Sequence, residues 1–465
     1  MTLAILILAA GRGTRMHSDL PKVLHPLAGR PLLAHVLATA ASLNPAQTVV
    51  VAGHGMDRVR AACPEPSLTW VEQSPQRGTG HAVQQAMPSL DAAIDRILVL
   101  YGDVPRVPLV TLQQLLKKSE GAALGLLTAE VADPIGYGRI LRDTGYQVMG
   151  IVEERDASPD QRLIREINTG FLIADRHALA AWLARLQPNN TQGEYYLTDI
   201  VALAASADQT IETLCVADSP VLSGVNDRRQ LARLERHYQQ SLAEEWLLAG
   251  VTLLDPARLD IRGELVAGRD VVIDVNVVIE GRVCLGDRVR IGAHCVLQDC
   301  EIGADTCVEP FSLIEKSRIG AHARIGPYAR IRPESSLGDG VHIGNFVEIK
   351  KTIVGEGSKI NHLSYIGDAQ IGQRVNIGAG TITCNYDGAH KHHTEIGDEA
   401  FIGSDTQLVA PVRVGEGATI GAGSTITHDA PPGQLTLSRA RQTTVTGWRR
   451  PVKKTKTTEK TTEGS

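Results

Sequence analysis

A glycine-containing loop near the N terminus carries the first residues able to do chemistry. The apolar run Leu3–Ala10 leads into Gly11-Arg12-Gly13-Thr14-Arg15-Met16, and Pro21-Lys22 follows a few residues later. Glycines at the end of a buried strand let backbone N–H groups approach phosphate oxygens without interference from side chains. Arg15 and Lys22 add the positive charge that a triphosphate requires. This spacing predicts a nucleotide site at the carboxyl end of the first strand.

Two better-known phosphate-binding signatures do not fit the same loop. The dinucleotide fingerprint would have a third glycine where this chain has Met16. A Walker A motif would close with Gly-Lys followed by Ser or Thr, and no such triplet ends the loop. The loop therefore indicates a nucleotide-binding class other than these two.

A second set of polar residues lies in the C-terminal half, where a six-residue repeat would have small or aliphatic residues. One of them is His362, in the stretch Lys359-Ile360-Asn361-His362-Leu363-Ser364-Tyr365, whose imidazole can exchange a proton near neutral pH. The segment 383–395 (TCNYDGAHKHHTE) breaks the period and is expected to loop out of the coil close to His362. The other interruptions are Arg332, Lys350, Tyr365, Asn376, Asn385, Tyr386 and Lys391.

The inserted segment also contains His390, His392 and His393. Three histidines this close in sequence either form a metal cluster or are solvated side chains of a polar loop. The polar composition of the segment favours solvated side chains without excluding a metal.

The sequence pattern of the chain that carries these residues changes near residue 250. Before it, apolar and β-branched runs alternate with stretches of helical spacing, which predicts an α/β domain with a mostly parallel sheet covered on both faces. Residues 228–249 contain no Gly or Pro and have apolar residues at helical spacing, which predicts one long linker helix. The expected strands are Leu3–Ala10, Thr48–Ala52, Ile97–Tyr101, Leu124–Val131 and Gly170–Ile173, and the helical stretches include Pro31–Leu43 and His81–Met87.

From about residue 261 an aliphatic residue recurs every six positions, often followed by Gly. Three six-residue edges make one triangular coil whose aliphatic residues stack inward and whose small residues turn the corners, so the repeat predicts a left-handed parallel β-helix. The expected domains are residues 1–227, a linker helix 228–250, a β-helix 251–450 and a disordered tail 451–465 with almost no apolar content. The three registers are Ile261, Ala267, Ile273, Ile279, Leu285, Ile291, Leu297; Ile319, Ile325, Ile331, Leu337, Ile343, Ile349; and Ile396, Ile402, Leu408, Val414, Ile420, Ile426.

The string from Leu8 to Lys22 resembles the signature of sugar-1-phosphate nucleotidylyltransferases, and this resemblance implies a Rossmann-like α/β nucleotidyltransferase domain. Together with the repeat, residues 3–450 resemble the bacterial bifunctional N-acetylglucosamine-1-phosphate uridylyltransferase/glucosamine-1-phosphate acetyltransferase family. The resemblance implies that Asp103 and Asn226 ligate Mg²⁺ and that Arg15 is catalytic. The residues that it implies for nucleotide and sugar binding are Leu8, Ala9, Ala10, Gly11, Lys22, Gln73, Gly78, Thr79, Tyr101, Gly102, Asp103, Gly138, Glu153, Asn168 and Asn226.

For the β-helix, the resemblance implies a site that acetylates an amino sugar with His362 as the base. It assigns sugar phosphate binding to Arg332, Lys350, Tyr365, Asn376 and the loop residue Lys391. It assigns acetyl-CoA binding to Ala379, Asn385, Tyr386, Ser404, Ala422 and Arg439.

The implied function is acetylation of glucosamine-1-phosphate by acetyl-CoA, followed by transfer of UMP from UTP to N-acetylglucosamine-1-phosphate with release of pyrophosphate. The family further implies a homotrimer. Two alternatives remain: a single-activity nucleotidylyltransferase with a structural β-helix, and a scaffold subunit with inactive sites. His362 with Asn385-Tyr386 argues against the first alternative. The intact Gly11–Lys22 string with Asp103 and Asn226 argues against the second.

Composition argues against several other classes of protein. The net charge of −5 creates no field toward nucleic acid or an anionic membrane, and no apolar run approaches the roughly 20 residues of a membrane span. Leu3–Ala10 lacks the flanking features of a signal peptide. The seven cysteines are odd in number and include no C-x-x-C pair, so neither a disulfide framework nor a zinc site is expected and the cytoplasm is the predicted compartment.

Overall fold

The computed structural model describes residues 2–11, 13–53, 55–217, 222 and 224–453. The chain divides into two compact units, residues 1–322 and 323–465. Most of the predicted disordered tail, residues 454–465, lies outside the described residues, and residues 451–453 are exposed without regular structure.

The first unit begins with a layered α/β domain built on one mixed sheet. The strand order is β11-β7-β10-β6-β1-β4-β5, with β8 and β9 attached at β10. Strand β1 is parallel to β4 and β6, whereas β10 runs antiparallel to β6 and β7, so the predicted mostly parallel sheet is confirmed. The strands are β1 (Leu3–Ala9), β2 (Pro26–Leu27), β3 (Arg30–Pro31), β4 (Gln47–Ala52), β5 (Leu68–Glu72), β6 (Arg96–Tyr101), β7 (Leu124–Glu130), β8 (Arg139–Arg142), β9 (Val148–Val152), β10 (Glu166–Asp175) and β11 (Ile211–Ala217).

Helices cover both faces of this sheet, and the alternation of side chains along β1 shows why. Leu6 and Leu8 enter one core, which includes residues of α3, α6 and α7, while Ile5 and Ile7 enter the opposite core with residues of α1 and α4. Burial on both faces fixes the carboxyl end of β1, where the glycine loop begins. The helices are α1 (Leu32–Ala41), α2 (Met56–Ala62), α3 (Thr79–Ala86), α4 (Leu109–Lys118), α5 (Pro159–Arg162), α6 (Arg176–Leu183), α7 (Asp199–Ser206) and α8 (Arg228–Leu248).

Helix α8 spans the stretch predicted as one long helix, and it is fastened at its N terminus and near its middle. Asp227 caps it by accepting a hydrogen bond from the Gln230 N–H at 2.8 Å. Farther along, the Gln239 side chain exchanges two hydrogen bonds of 2.7 Å with the backbone of Ile261, the first residue of the aliphatic repeat. The linker is therefore packed against the first repeat strand rather than extended from it.

Short parallel strands form the repeat in both units. In residues 1–322 they are Thr252–Leu253, Leu259–Ala267, Val272–Ile273, Val277–Leu285, Arg290–Ile291, Val296–Gln298, Glu301–Ile302, Cys307–Val308, Leu313–Glu315 and Ser317–Ile319. In residues 323–465 one face contains Arg324–Ile325, His342–Asn345, Lys359–His362, Asn376–Ile377, Phe401–Ile402, Thr419–Ile420 and Leu435–Thr436. The remaining strands of that unit are Arg330–Ile331, Ser335–Leu337, Glu348–Val354, Tyr365–Ile371, Ile382–Cys384, Thr394–Ile396, Gln407–Val409, Val412–Val414 and Thr425–Ile426.

Every residue of the three predicted aliphatic registers is buried except Ala267, which is half-buried. This pattern is that of a left-handed β-helix built from hexapeptide repeats. The prediction that small residues turn the corners is only partly right, because bulky residues such as Tyr328, Phe346 and Leu363 adopt the left-handed conformation there (φ 56°, 57° and 48°). Hydrogen bonds between successive corners, such as Phe346 N–H to Tyr328 O at 3.2 Å, offset the strain.

Candidate active sites

A cavity of about 590 Å³ opens at the carboxyl ends of β1 and β6. These strands are parallel neighbours, so the residues that follow them lie side by side, as is usual for ligand sites in α/β sheets. The predicted nucleotide residues that line the cavity are Leu8, Ala9, Ala10, Gly11, Lys22, Gln73, Gly78, Thr79, Tyr101 and Asp103. Gly102 does not line it, but its N–H donates to Leu8 O at 2.9 Å and keeps the two strand ends together.

The glycine loop is tight because Gly13 has a left-handed backbone (φ 61°) and its position has no room for a side chain. A Cβ atom there would lie 2.7 Å from Cβ of Lys22. The loop continues into a helical turn, Thr14–Met16, that buries Met16. This packing holds Lys22 against the loop that the sequence predicts to bind phosphate.

The two predicted metal ligands, Asp103 and Asn226, come together through the backbone. The Val225 N–H donates to Asp103 O at 2.9 Å. The Lys22 ammonium group donates to the Asp103 carboxylate and, at 3.1 Å, to Asn226 Oδ1, which also accepts from Arg15 at 2.9 Å. The Lys22 ammonium group therefore contacts both oxygens that are predicted to bind the metal ion. One carboxylate and one amide oxygen suit Mg²⁺, which retains waters and completes its shell with phosphate oxygens.

The opposite wall of the cavity contains the residues predicted to recognise uracil. Gln73 Nε2 donates to Gly78 O at 2.9 Å and lies 3.2 Å from His81 Nδ1. Gln76 hydrogen-bonds the Ala10 carbonyl oxygen, linking this wall to the glycine loop. Thr14, Val23, Gln76 and Ala82 also line the cavity and received no role from sequence analysis, and Glu194 completes the lining.

Tyr101 connects the cavity to the residues predicted to contact the sugar. Its ring packs against Gly170, whose N–H donates to Asn168 Oδ1 at 3.0 Å, and the Asn168 N–H donates to Gly138 O at 2.8 Å. A Cβ on Gly138 would lie 3.4 Å from the Glu153 carboxylate, so the three predicted sugar residues are contiguous.

Glu153 is an unusual carboxyl group within that cluster. Burial raises its pKa, and a hydrogen bond from Thr198 Oγ1 at 2.9 Å opposes the rise. Asp199, which begins α7, also has a pKa raised by burial. An acceptor held in a dry pocket can distinguish sugar hydroxyl groups by hydrogen bonding.

The predicted acetyl-transfer residues in the second unit fall largely on one corner of the coil. Gly380 N–H donates to His362 O at 3.3 Å, which confirms that these residues lie one coil apart. The ladder continues from Asp405 N–H to Ala379 O and from Gly423 N–H to Ser404 O, at 2.7 and 2.8 Å. Arg439 extends it with a 2.8 Å hydrogen bond to Ala422 O. His362, Ala379, Ser404, Ala422 and Arg439 therefore form a continuous column.

A polar cluster lies on the adjoining face. Asn385 Nδ2 donates to Asp368 Oδ2 at 2.5 Å and to Tyr365 OH at 3.4 Å. The hydrogen-bonded Lys391 ammonium group, together with burial, lowers the pKa of Lys350. Asp368 lies near both lysines and was not predicted as a site residue.

The other predicted sugar phosphate residues are less concentrated. Arg332 lies one coil before Lys350 and donates to Glu348 Oε1 at 2.7 Å. Asn376 lies on the neighbouring face, paired with Lys359 and Phe401, and among the described residues no hydrogen bond joins its side chain to Tyr365 or Lys350.

The inserted segment is ordered by its own carboxylate. Asp387 accepts hydrogen bonds from Ala389 N–H and His390 N–H and pairs with His392 Nε2 at 2.7 Å, contacts that lower the pKa of Asp387. Tyr386 OH donates to Gly388 O at 2.6 Å. Within the described ranges, no group of three or more His, Cys, Asp or Glu residues could hold a metal ion. Nor does any helix in that part of the chain have the length and apolarity to cross a membrane.

Comparison with known proteins covers both halves of the chain. Family models match a MobA-like NTP transferase domain at residues 5–144, a GMPPB C-terminal domain at 261–335 and bacterial transferase hexapeptide (six repeats) at 393–428. The chain is 57% identical over 451 residues to the bifunctional protein GlmU of Azoarcus sp. (strain BH72), covering 97% of this chain and 99% of that protein. It is 57% identical over 450 residues to bifunctional protein GlmU of Aromatoleum aromaticum, with the same coverage.

A solved structure of UDP-glucose pyrophosphorylase complexed with UDP-glucose is similar at 18% identity and a TM-score of 0.42, over 52% of this chain and 100% of that chain. Similarity at that level adds nothing to the assignment, which rests on the near full-length relatives. A nucleotidyltransferase domain followed by hexapeptide repeats, at 57% identity to those relatives, means that the chain belongs to the GlmU family and is a bifunctional acetyltransferase and uridylyltransferase.

Proposed function

We propose that the β-helix acetylates glucosamine-1-phosphate with acetyl-CoA and that the N-terminal cavity then transfers UMP from UTP to N-acetylglucosamine-1-phosphate. The proposed domains are residues 1–227 and 251–450. One observation above all supports the proposal: the same chain contains two sites. In the glycine-loop cavity, Asp103 and Asn226 provide two oxygens for a cation, and the corner column of the β-helix begins with His362. The rival function, a nucleotidylyltransferase with a purely structural β-helix, has no use for that column.

In the uridylyl transfer that we propose, a phosphate oxygen of the sugar phosphate attacks the α-phosphorus of UTP and pyrophosphate leaves. Loop amides after Ala10, together with Arg15 and Lys22, neutralise charge on the phosphates. Asp103 and Asn226 would hold Mg²⁺, which supplies further positive charge when it is bound. Gln73, Gly78 and Thr79 would bind the uracil, and Gly138, Glu153 and Asn168 the sugar.

In the proposed acetyl transfer, the sugar amine attacks the thioester carbonyl carbon and His362 takes the proton from the amine. The carbon–sulfur bond then breaks and coenzyme A leaves as its thiolate. Arg332, Lys350 and Lys391 provide cations for the sugar phosphate, with Tyr365 and Asn376 as further contacts. Asn385, Tyr386, Ala379, Ser404, Ala422 and Arg439 would hold acetyl-CoA. Orientation contributes most of the remaining rate enhancement because a thioester is already reactive.

We also propose a homotrimer in the cytoplasm. An apolar stripe formed by Tyr328, Phe346 and Leu363 supports association, since these side chains are 48%, 56% and 63% exposed and the stripe ends beside His362. Cys63, Cys215, Cys284, Cys295, Cys300 and Cys384 are free thiols, which suits a reducing compartment. Light scattering gives the mass of the unsubstituted protein and of Phe346→Glu. If both are trimers, the stripe does not form the interface. If the unsubstituted protein is a monomer, the proposed trimer is wrong.

One coupled assay tests both activities. The protein receives UTP, Mg²⁺, acetyl-CoA and glucosamine-1-phosphate, and both N-acetylglucosamine-1-phosphate and UDP-N-acetylglucosamine are measured. We expect His362→Ala to lower acetyl transfer by roughly a hundredfold to ten-thousandfold and to leave uridylyl transfer from supplied N-acetylglucosamine-1-phosphate intact. Near-normal acetylation by His362→Ala would refute the role of His362, and no acetylation by the unsubstituted protein would favour the structural β-helix.

A further inference from the structure

Asn345 is the side chain that contacts the proposed base. His342–Asn345 and Lys359–His362 are parallel strands of neighbouring coils, and Asn345 pairs in register with His362. Asn345 Oδ1 lies 2.9 Å from His362 Nδ1. No other side chain among the described residues is hydrogen-bonded to this ring, so Asn345 alone sets its orientation within the chain.

The identity of the partner atom determines which ring nitrogen is basic. An amide oxygen can only accept a hydrogen bond, so the contact requires a proton on Nδ1 of His362. In a neutral imidazole the other nitrogen, Nε2, is then unprotonated and faces away from Asn345. An exposed Nε2 is the atom that can take a proton from an incoming amine.

We infer that Asn345 is a positioning residue for acetyl transfer, which holds His362 in the tautomer with a basic Nε2. The inference rests on the proposed role of His362. A neutral amide suits this task better than a carboxylate, because it orients the ring without stabilising the protonated imidazolium form.

The backbone explains how the pair is held. Leu363 N–H donates to Asn345 O at 3.1 Å, so the two corner residues are joined by the backbone next to the side-chain contact. Asn345 is half-buried whereas His362 is exposed. The more buried partner thus orients the exposed one.

Two substitutions of similar size separate orientation from packing. Asn345→Leu removes the acceptor, and we expect kcat for acetyl transfer to fall roughly tenfold to a hundredfold with KM for both substrates little changed. Asn345→Asp retains the acceptor, so kcat on the alkaline side should recover to near the unsubstituted value. Its carboxylate favours imidazolium, which should move the acidic limb of kcat/KM up by about one pH unit or more.

Uridylyl transfer and the melting temperature serve as folding controls. A normal kcat for Asn345→Leu, or an Asn345→Asp profile with neither recovery nor a displaced acidic limb, would overturn the inference. His362→Ala in the same assay separates the role of His362 from that of Asn345. If His362→Ala remains active, His362 is not the base. If His362→Ala is inactive and Asn345→Leu is fully active, only the role of Asn345 is refuted.

Discussion

Substitution of Gly78 by Ala should damage uridylyl transfer selectively. Gly78 lines the nucleotide cavity, precedes α3 and accepts the hydrogen bond from Gln73. Its backbone angles, φ 102° and ψ 174°, belong to a region that only glycine adopts readily. A Cβ at this position would lie 2.6 Å from Tyr195 O and 3.0 Å from Tyr195 N, which are backbone atoms that cannot rotate away.

The structure sets the size of the effect. Forcing a side chain into this backbone conformation costs about 1–3 kcal/mol, and overpacking adds about 1–3 kcal/mol. If the loop shifts to relieve even about 2 kcal/mol, the Gln73 acceptor moves and UTP binding weakens by roughly thirtyfold. We therefore expect kcat/KM for UTP to fall by at least that factor while acetyl transfer is unchanged.

Gly121→Ala is the matched control. Gly121 also has a positive φ, 77°, but no atom lies within 4 Å of the position that its Cβ would take. Steady-state kinetics with UTP and thermal melting are measured for both variants. The reasoning is refuted if Gly78→Ala matches Gly121→Ala in both kcat/KM and melting temperature, because the predicted contact with Tyr195 would then cost nothing.

Three further predictions concern charge. Asp103→Asn should raise the Mg²⁺ concentration needed for half-maximal uridylyl transfer and leave acetyl transfer unchanged, and Mg²⁺ titration would contradict this if the midpoint stayed in place. Burial raises the pKa of Glu153 above its usual 4.5, so the folded protein binds that proton more tightly and loses stability as pH rises through that range. Glu153→Gln should therefore melt higher than the parent by a margin that grows above pH 4.5, and a margin constant with pH would exclude this explanation. Because Lys391 lowers the pKa of Lys350, Lys391→Gln should keep Lys350 charged to higher pH and shift the alkaline rise in KM for glucosamine-1-phosphate to higher pH. An unshifted rise would mean that Lys391 does not control the protonation of Lys350.

Much of the architecture could be predicted because periodic patterns report burial directly. The run that forms β1 is apolar at every position since both of its faces enter a core, and the aliphatic registers of the repeat are buried almost without exception. The linker helix was predicted at 228–249 and observed as Arg228–Leu248. Patterns of this kind do not show that β10 runs antiparallel within the sheet, because direction depends on connections rather than on side-chain periodicity.

Candidate site residues were easiest to find where a pattern ends. The glycine loop follows the last buried residue of β1, and Asn385 lies in the segment that interrupts the repeat. Gln76 lacks such a signal, since it enters the cavity from a loop whose path depends on distant contacts. Tyr195, for example, fixes the loop next to Glu194 through hydrogen bonds with Arg77 O and Gly80 N–H, both at 2.8 Å.

Asn345 was missed for a different physical reason. It occurs in IGNFVE, which fits the six-residue repeat without interruption. A corner position points out of the coil, so the core places no demand on its side chain and a polar residue there leaves the aliphatic period intact. The spacing that brings Asn345 to His362 is the length of a whole coil and not the six-residue repeat. The two residues are in register on successive coils, and the carbonyl group of each accepts a backbone hydrogen bond from the next coil at the same corner. Positioning residues of a β-helix enzyme should therefore be sought one coil before and after a candidate catalyst, at the same corner, rather than at breaks in the repeat.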